Sequence, residues 1–436
     1  MSAKTELPAK PRSRRRYRAL AGVICLLVVA GAAYALVVQS VDYHTRLSPE
    51  GSLTVARTPP PATFRFTKLP TYDPAAQEPF QVDLRGGDVS NEDLRDRLDD
   101  LMHASFDDRT VWPPVLPAGF DPTQLMSLGR NPGLRVHELH KEGITGKGVG
   151  IGIIDQGLLV DHVEYRDRLR SYEEIHCADD NAQMHGAAVA SIAVGKTVGV
   201  APDADLYYVA ETHGTWLPGL PFRWDFQWVA KSIERLLEIN RTLPAERKIR
   251  VISISVGWDP RQKGYDEVTQ AVEHATKENV FVISTALERT HQLEFHGLGR
   301  DPLKDPDDPQ SYGPGSWWRG QFFGGTGVWS YDQLRSADSP RLMVPMDARC
   351  VASPSGPEHY VFYANGGWSW SVPYLSGFYA LACQVKPTVT PEEFWSVGLE
   401  TGQTITFDKD GKTYELEKIA DPVALIGALN REDPAQ

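Results

Sequence analysis

The chain has 436 residues, enough for one large α/β domain with extensions or for two to three domains of ordinary size. With 41% hydrophobic and 23% charged residues, it is predicted to be globular rather than disordered. The formal net charge of −12 leaves no basic field to meet phosphate groups, which argues against a nucleic-acid partner.

The N-terminus carries a basic run followed by an apolar run. Residues 12–18 read RSRRRYR, and residues 19–38 contain no charge and are long enough to cross a bilayer as a helix. A positive flank stays in the cytoplasm, so residues 1–18 are predicted to be a cytoplasmic tail behind a single-pass transmembrane anchor, with the body outside the cytoplasm. A cleavable signal peptide is the alternative, because an Ala-Tyr-Ala sequence in the apolar run resembles a cleavage site.

Two segments separate the anchor from the main domain. Residues 39–80 are polar and interrupted by proline, which predicts a linker. Residues 81–142 are predicted to be an N-terminal extension, either packed on the main domain or removable as a pro-segment. Within it, SNEDLRDRLDDLMHASF, which starts at Ser90, has an acid three positions after the serine and leucines on one face. That pattern predicts a capped helix.

From residue 143 to 430, short apolar strands alternate with helices. Strands are predicted at 147–155, 204–210, 249–257 and 280–285, and helices at 226–241 and 266–279. This alternation predicts a parallel sheet covered on both faces, with ligands bound beyond the carboxyl ends of its strands. Residues 297–318 are rich in Pro, Gly and Asp, which predicts a long irregular loop with a binding role.

Three side chains fall where such a sheet would place a site. Asp155 follows the apolar part of a strand, His185 opens a helix of small residues, and Ser369 begins a helical run with Pro373 in its first turn. A nucleophilic serine needs a base, and the base needs a carboxylate that fixes its tautomer. The chain order Asp, His, Ser is the subtilisin order, unlike that of the α/β-hydrolases or of chymotrypsin.

The sequence around these residues resembles the subtilisin-like serine peptidases (subtilases, peptidase family S8). GKGVGIGIIDQG, residues 146–157, resembles the aspartate motif of that family, and HGAAVA, residues 185–190, resembles the histidine motif. GGWSWSVPYLSG, residues 366–377, resembles the serine motif G-T-S-x-A-x-P-x-x-x-G. The resemblance covers roughly residues 143–430. It implies an α/β fold of subtilisin-like, three-layer type with a central, mainly parallel sheet.

The resemblance also implies an activity. It implies a serine endopeptidase that cleaves peptide bonds through an acyl-enzyme, with a protein or peptide as substrate. Ser369 would be the nucleophile, His185 the general base and then acid, and Asp155 the orienting carboxylate. The backbone N–H of Ser369 would be one oxyanion donor. Ser255, Val256 and Gly257 resemble the strand that pairs with an extended substrate.

One departure from the family concerns the oxyanion hole. In VISTALERTHQ the family's donor asparagine is replaced by Leu287 or Glu288, and neither side chain donates when the glutamate is ionised. Loss of one such donor costs about 3 to 4 kcal/mol of transition-state stabilisation. Thr290, His291 and Gln292 are predicted as substitutes, with Gln292 first because its amide most nearly reproduces asparagine. The intact triad favours an enzyme; the missing asparagine favours a subtilase-fold peptide-binding protein with weak or no catalysis.

No cofactor is required by this reading. The cysteines outside the apolar run are odd in number and match no zinc spacing, and HELH at residues 137–140 lacks the second histidine of a zinc-protease motif. His162 is expected to be structural from its position in the family. Calcium is a weaker expectation than a solvated acidic loop, and its candidate ligands are Asp301, Asp305, Asp307 and Asp308.

Overall fold

The computed structural model describes residues 43–48, 57–60, 67–74, 76, 80–178, 180–216, 221–336 and 340–431. The strands are β1 His44–Arg46, β2 Val82–Asp83, β3 Ala104–Asp107, β4 Gly150–Asp155, β5 Leu169–Cys177, β6 Asp205–Glu211, β7 Gly214–Thr215, β8 Arg223–Trp224, β9 Ile249–Ile254, β10 Phe281–Ser284, β11 Phe295–Arg300, β12 Tyr312–Pro314, β13 Leu342–Pro345, β14 Arg349–Ala352, β15 Tyr360–Tyr363, β16 Gln403–Lys409 and β17 Lys412–Ile419. The α-helices are α1 Leu98–Met102, α2 Pro122–Arg130, α3 Val136–Lys141, α4 Met184–Val194, α5 Gln227–Thr242, α6 Tyr265–Lys277, α7 Leu287–His291, α8 Arg319–Gly324, α9 Tyr331–Ser336, α10 Trp368–Val385, α11 Pro391–Thr401 and α12 Pro422–Arg431.

The chain divides into two compact units. Of the described residues, those from Tyr43 to His213 and from Trp224 to Arg431 belong to one unit, and residues 214–216 and 221–223 belong to the other. The membrane helix predicted at residues 19–38 lies outside the described residues. None of the helices in the described part of the chain has the length and apolarity that a bilayer crossing needs.

A six-stranded sheet forms the centre of the larger unit, in the order β1-β5-β6-β4-β9-β10. Strands β5, β6, β4, β9 and β10 are parallel to their neighbours, and only β1 at the edge is antiparallel. The predicted mainly parallel sheet is therefore confirmed. Because the carboxyl ends of parallel strands share one edge of a sheet, Asp155 at the end of β4 lies at the edge where a ligand is expected.

Helices cover both faces of this sheet. Ile151 and Ile153 of β4 belong to one buried apolar cluster, which also contains the buried side chains of α4 and α10. Ile154 of the same strand belongs to a second cluster, with α5 and α6. Alternate residues of β4 thus enter opposite layers, as a strand buried on both faces requires.

Besides the two-stranded pair of β7 and β8, two smaller sheets accompany the central one. A five-stranded sheet has the order β12-β11-β13-β17-β16, and a four-stranded sheet has the order β14-β15-β3-β2. In the second, β3 of the segment predicted as an extension pairs with β15, at Phe362↔Phe106. The serine-bearing helix α10 begins five residues after β15 ends.

The helix predicted from Ser90 is wrong over most of its length, because α1 begins only at Leu98 and Ala104 already belongs to β3. Local acceptors explain the difference. Asp88 accepts hydrogen bonds from the backbone and the hydroxyl of Ser90, and Asp93 accepts the backbone N–H of Arg95. Such short-range bonds offer the backbone an alternative to helical pairing.

The segment 297–318 is also less irregular than predicted. Its first residues complete β11, and β12 returns antiparallel to that strand, at Leu298↔Pro314. The residues outside strands are 301–311, which include a short 3-10 helix at Pro309–Ser311, and 315–318 after β12. Composition alone therefore overestimated the length of the irregular loop. Gly297 and Gly299 belong to a strand and are glycines because their backbones lie in close contact with Met346 and Pro314.

Buried acids attach the N-terminal segment to the sheet. Glu174 on β5 is fully buried and accepts hydrogen bonds from His44 Nε2 at 2.7 Å, Arg46 Nη1 at 3.2 Å and Arg57 Nε at 2.7 Å. These three partners belong to residues 39–80, the segment predicted as a linker. Charges in a dry interior are tolerated only with such partners.

We predict that Glu174→Gln lowers the free energy of unfolding by about 3 to 5 kcal/mol, because it removes a fully buried negative charge that pairs with the buried Arg57 guanidinium. Glu278→Gln is the matched control, since it removes the same charge from the surface pair with Arg241 and should cost less than about 1 kcal/mol. Denaturant unfolding measures both. Equal losses in the two variants would contradict the assignment of Glu174 as an anchor.

Candidate active site

Asp155 and His185 form a hydrogen-bonded pair. Asp155 ends β4 and is fully buried, and its Oδ1 lies 2.7 Å from Nδ1 of His185 at the start of α4. A Cβ at Gly186 would lie 2.4 Å from the carbonyl oxygen of Gln156, so the glycine lets α4 approach the end of β4 this closely. Gly186, directly after His185, therefore permits the close approach that brings the imidazole within hydrogen-bonding distance of Asp155.

Electrostatics keep Asp155 ionised. Burial by itself raises the pKa of this carboxyl, but the electrostatic attraction of the His185 side chain and its hydrogen bond outweigh burial and hold the pKa below its usual value. The ionised carboxylate can only accept, so Nδ1 of His185 donates and Nε2 keeps a free lone pair. Asp155 Oδ2 is buried and has no hydrogen-bond partner among the described residues.

Ser369 lies at the second position of α10, after the N-cap Gly367. Within the described residues its backbone N–H has no acceptor, as is usual in the first turn of a helix. A Cβ at Gly366 would lie 2.2 Å from the carbonyl of Met346, so this glycine is required for close packing. Gly367 has an extended backbone with φ of −160°, so it needs no left-handed conformation.

Pro373 is inside α10, not in its first turn as predicted. It cannot donate the helical N–H bond to the carbonyl of Ser369, four residues earlier. Ser255 Oγ donates to that carbonyl instead, at 2.9 Å. The hydroxyl of Ser369 in turn donates to the carbonyl of Ser255 at 3.1 Å. The nucleophile candidate is thus attached to the carboxyl end of β9 by two reciprocal bonds.

His185 and Ser369 both adjoin Trp370. The Trp370 ring lies 5.3 Å from the His185 ring, and the residue follows Ser369 directly. Within the described residues, Ser369 Oγ bonds to Ser255 and not to His185. The structure therefore contains the acid–imidazole pair, while the serine hydroxyl is held by a backbone carbonyl. Hydrogen bonds to a nucleophile are often absent before substrate binds.

The predicted substrate strand lies directly beside this serine. Ser255 is buried and follows β9 without a break, while Val256 and Gly257 are half-buried. The carbonyl of Val256 accepts the backbone N–H of Thr285 at 3.3 Å. A Cβ at Gly257 would lie 2.7 Å from Thr285 Oγ1, so the two segments are in contact.

The predicted oxyanion substitutes are not brought to Ser369. Gln292 follows α7 in a left-handed conformation with φ of 57°, its side chain is exposed, and among the described residues it forms no hydrogen bond with the residues around Ser369. Thr290 Oγ1 donates back to carbonyls of its own helix, and His291 Nδ1 bonds to Thr290 Oγ1 at 2.9 Å. Glu288 is exposed and lines a cavity together with Trp368.

The four aspartates named as calcium candidates are directed to separate partners. Asp301, Asp305 and Asp308 each accept a backbone N–H two residues ahead, and Asp307 accepts from Asn131 and from the backbone of Arg135. They act as turn and cap residues, and calcium binding stays a prediction.

A three-ligand cluster in the described part of the chain consists of His44, Glu174 and Cys177. Both oxygens of Glu174 are already occupied by arginines, Arg46 and Arg57, whose positive charges disfavour a metal cation. Cys177 is buried, and its thiol donates to the carbonyl of Ala210 at 3.3 Å. His162 is fully buried and bonds to the carbonyl of His359 at 2.9 Å, which agrees with the structural role expected of it.

Sequence reasoning missed a second acid–imidazole pair. Glu211 ends β6 and is fully buried, and its carboxylate bonds to both the backbone and Nδ1 of His213. Burial lowers the pKa of His213, but the Glu211 charge outweighs burial and raises it above its usual value. The signal was available, since an acid and a histidine directly follow the predicted strand 204–210, which neighbours the strand of Asp155.

Comparisons with known proteins bear on this site. The family model described as Peptidase S8, subtilase family, matches residues 146–411. The subtilisin-like protease PopC of Myxococcus xanthus is 29% identical over 136 residues, which cover 27% of this chain and 26% of PopC. The chain thus matches about a quarter of that curated relative's length. The solved structure of the prenylagaramide maturation protease PagA has a TM-score of 0.43 and 14% identity, covering 68% of this chain and 98% of PagA.

We predict that Ser255→Ala lowers the free energy of unfolding by about 1 to 3 kcal/mol, because the carbonyl of Ser369 then loses its donor. Ser376→Ala is the matched control. Its hydroxyl donates to the carbonyl of Val372, which also has a helical N–H partner, so its loss should cost less than about 1 kcal/mol. Denaturant unfolding compares the free energies of unfolding of the two variants. Similar losses would show that the carbonyl of Ser369 does not need the Ser255 donor in place of the N–H that Pro373 lacks.

Proposed function

The chain belongs to the subtilase family, and from this premise we propose that it is a serine endopeptidase that works through Asp155, His185 and Ser369. The observation that carries the proposal is the 2.7 Å bond between a fully buried Asp155 and His185, at the sheet edge where the helix of Ser369 also begins. A peptidase family implies a protein or peptide substrate.

The proposed reaction begins when the Ser369 hydroxyl exchanges the carbonyl of Ser255 for Nε2 of His185. Its oxygen attacks the scissile carbonyl carbon while His185 takes the proton, and Asp155 stabilises the resulting imidazolium. The backbone N–H of Ser369 and the positive end of α10 face the developing oxyanion. His185 then returns the proton to the leaving amine, and water hydrolyses the acyl-enzyme by the same steps in reverse.

A binding protein of subtilase fold is the second candidate. Two observations favour it: Ser369 Oγ bonds to a backbone carbonyl, and the predicted side-chain oxyanion donors make no contact with the serine among the described residues. Such a protein would hold extended peptides along Ser255–Gly257 without cleaving them. The two candidates differ in whether Ser369 can be made nucleophilic.

Labelling by a fluorophosphonate separates the candidates, because it requires an activated serine and no particular substrate. We predict labelling of the wild-type chain, none of Ser369→Ala, and labelling slowed at least about a thousandfold in His185→Ala. Ser371→Ala, a buried serine two residues along the same helix, is the control and should label as wild type. A wild-type chain that binds peptides but does not label would establish the second candidate.

We also propose that the enzyme is anchored in a membrane by residues 19–38 and acts outside the cytoplasm. The support is the basic flank at residues 12–18 and the uncharged run that follows it. Protease added to intact cells is expected to degrade the body of the chain and to leave an N-terminal tag before residue 12 intact. Protection of the body would contradict this topology.

A further inference from the structure

A cavity of about 190 Å³ lies between the start of α10 and the segment that follows β10. Trp368, which precedes Ser369, lines this cavity, and so does Thr285. The backbone N–H of Thr285 donates to the carbonyl of Val256, and Val256 follows Ser255, which is bonded to Ser369. Both connections join the cavity lining to the residues around Ser369.

His296 on the cavity wall has a defined tautomer. Its Nδ1 accepts the backbone N–H of Gly297 at 3.1 Å and the indole N–H of Trp368 at 3.2 Å. A nitrogen that accepts hydrogen bonds carries no proton, so the proton of the neutral ring is on Nε2. The ring stays neutral because burial lowers the pKa of His296 to about 3.

The Nε2–H of His296 is a buried donor in need of an acceptor. The residue is 2% exposed, and no hydrogen-bond partner of this atom exists among the described residues. The rings of Trp318, Trp329 and Trp368 surround the imidazole, with centroids 4.4, 5.6 and 5.4 Å away. An indole nitrogen only donates, so these neighbours provide no acceptor nitrogen or oxygen, and a ligand with an acceptor would remove an unfavourable feature.

Charged groups at the cavity restrict the class of that ligand. Arg341 Nη2 is paired with Glu294 Oε2 at 2.6 Å. Glu288 also lines the cavity, is exposed, and forms no ion pair with any described residue. A substrate carboxylate would be repelled by Glu288, and an ammonium would present donors to the donor on His296. A carboxamide has the atoms that complement both groups: an oxygen that can accept from His296 and an NH₂ that can donate to Glu288.

We propose that this cavity selects a substrate side chain bearing a carboxamide, glutamine above all, with His296 as the specificity-determining donor. The methylene groups of glutamine would pack against Trp329 and Trp368, which supply apolar walls. This inference rests on the proposed peptidase function and adds the substrate class to it.

The first test uses the wild-type full chain and four peptides that differ only at the residue beside the scissile bond: Gln, Met, Glu and Lys. Methionine matches glutamine in length but has only a weak acceptor, so kcat/KM for the Gln peptide should exceed that for Met by about tenfold to a hundredfold. The Glu and Lys peptides should be cleaved more slowly than the Gln peptide. Equal or faster cleavage of the Met, Glu or Lys peptide would overturn the inference.

The second test uses His296→Phe, which removes the donor and keeps a ring. The Gln-to-Met ratio of kcat/KM should fall to about one, and because both rates come from one preparation, the folded fraction cancels. His137→Phe is the matched control: a half-buried histidine that does not line this cavity, so the ratio should stay as in wild type. An unchanged Gln-to-Met ratio of kcat/KM in His296→Phe would show that His296 does not determine the preference for the substrate side chain.

Fluorophosphonate labelling keeps the two proposals apart. Wild-type protein that labels at Ser369 but shows no preference for the Gln peptide, or cleaves none of the four peptides, overturns the cavity assignment alone. Wild-type protein that does not label at all overturns the proposed function, on which the cavity assignment rests.

Discussion

The bond between Ser255 and the carbonyl of Ser369 is the contact on which the geometry of the site depends. Pro373 removes the helical donor of that carbonyl, so α10 cannot satisfy its own first turn there. The missing bond is replaced from the end of β9, and the helix start is thereby fixed to the central sheet.

The same sheet edge concentrates buried charge. Asp155 and Glu211 end neighbouring strands and are fully buried, and each is bonded to one imidazole, His185 or His213. Parallel strands make this arrangement possible, because their carboxyl ends share one edge. The same arrangement costs free energy, because two carboxylates that are buried away from water repel each other. The histidines offset that repulsion, so Asp155 is ionised within a network of two acid–imidazole pairs.

The sequence predicted the central sheet, most of its strands and the elements that carry Asp155, His185 and Ser369, because these signals are local. An acid after an apolar strand, or glycines before a helical run, can be recognised without knowing what packs against them. The helix predicted from Ser90 was wrong because aspartate side chains form turns there. The contacts of Ser255 with Ser369 and of Trp368 with His296 join residues far apart in the chain, so no periodicity or motif shows them.

The two tryptophans that flank Ser369 differ in their surroundings, although each is directly next to the serine in the sequence. Trp370 is buried, and its ring packs between His185 and Tyr363, so it limits the positions open to the imidazole. Trp368 is half-buried and donates to His296, so it fixes the tautomer of that ring at the cavity. Successive residues at a helix start point about 100° apart around its axis, so residues on either side of one serine reach different neighbours. A small residue at either position could reproduce neither contact, which gives both tryptophans, and with Trp368 the departure from the threonine of the family motif, a physical basis.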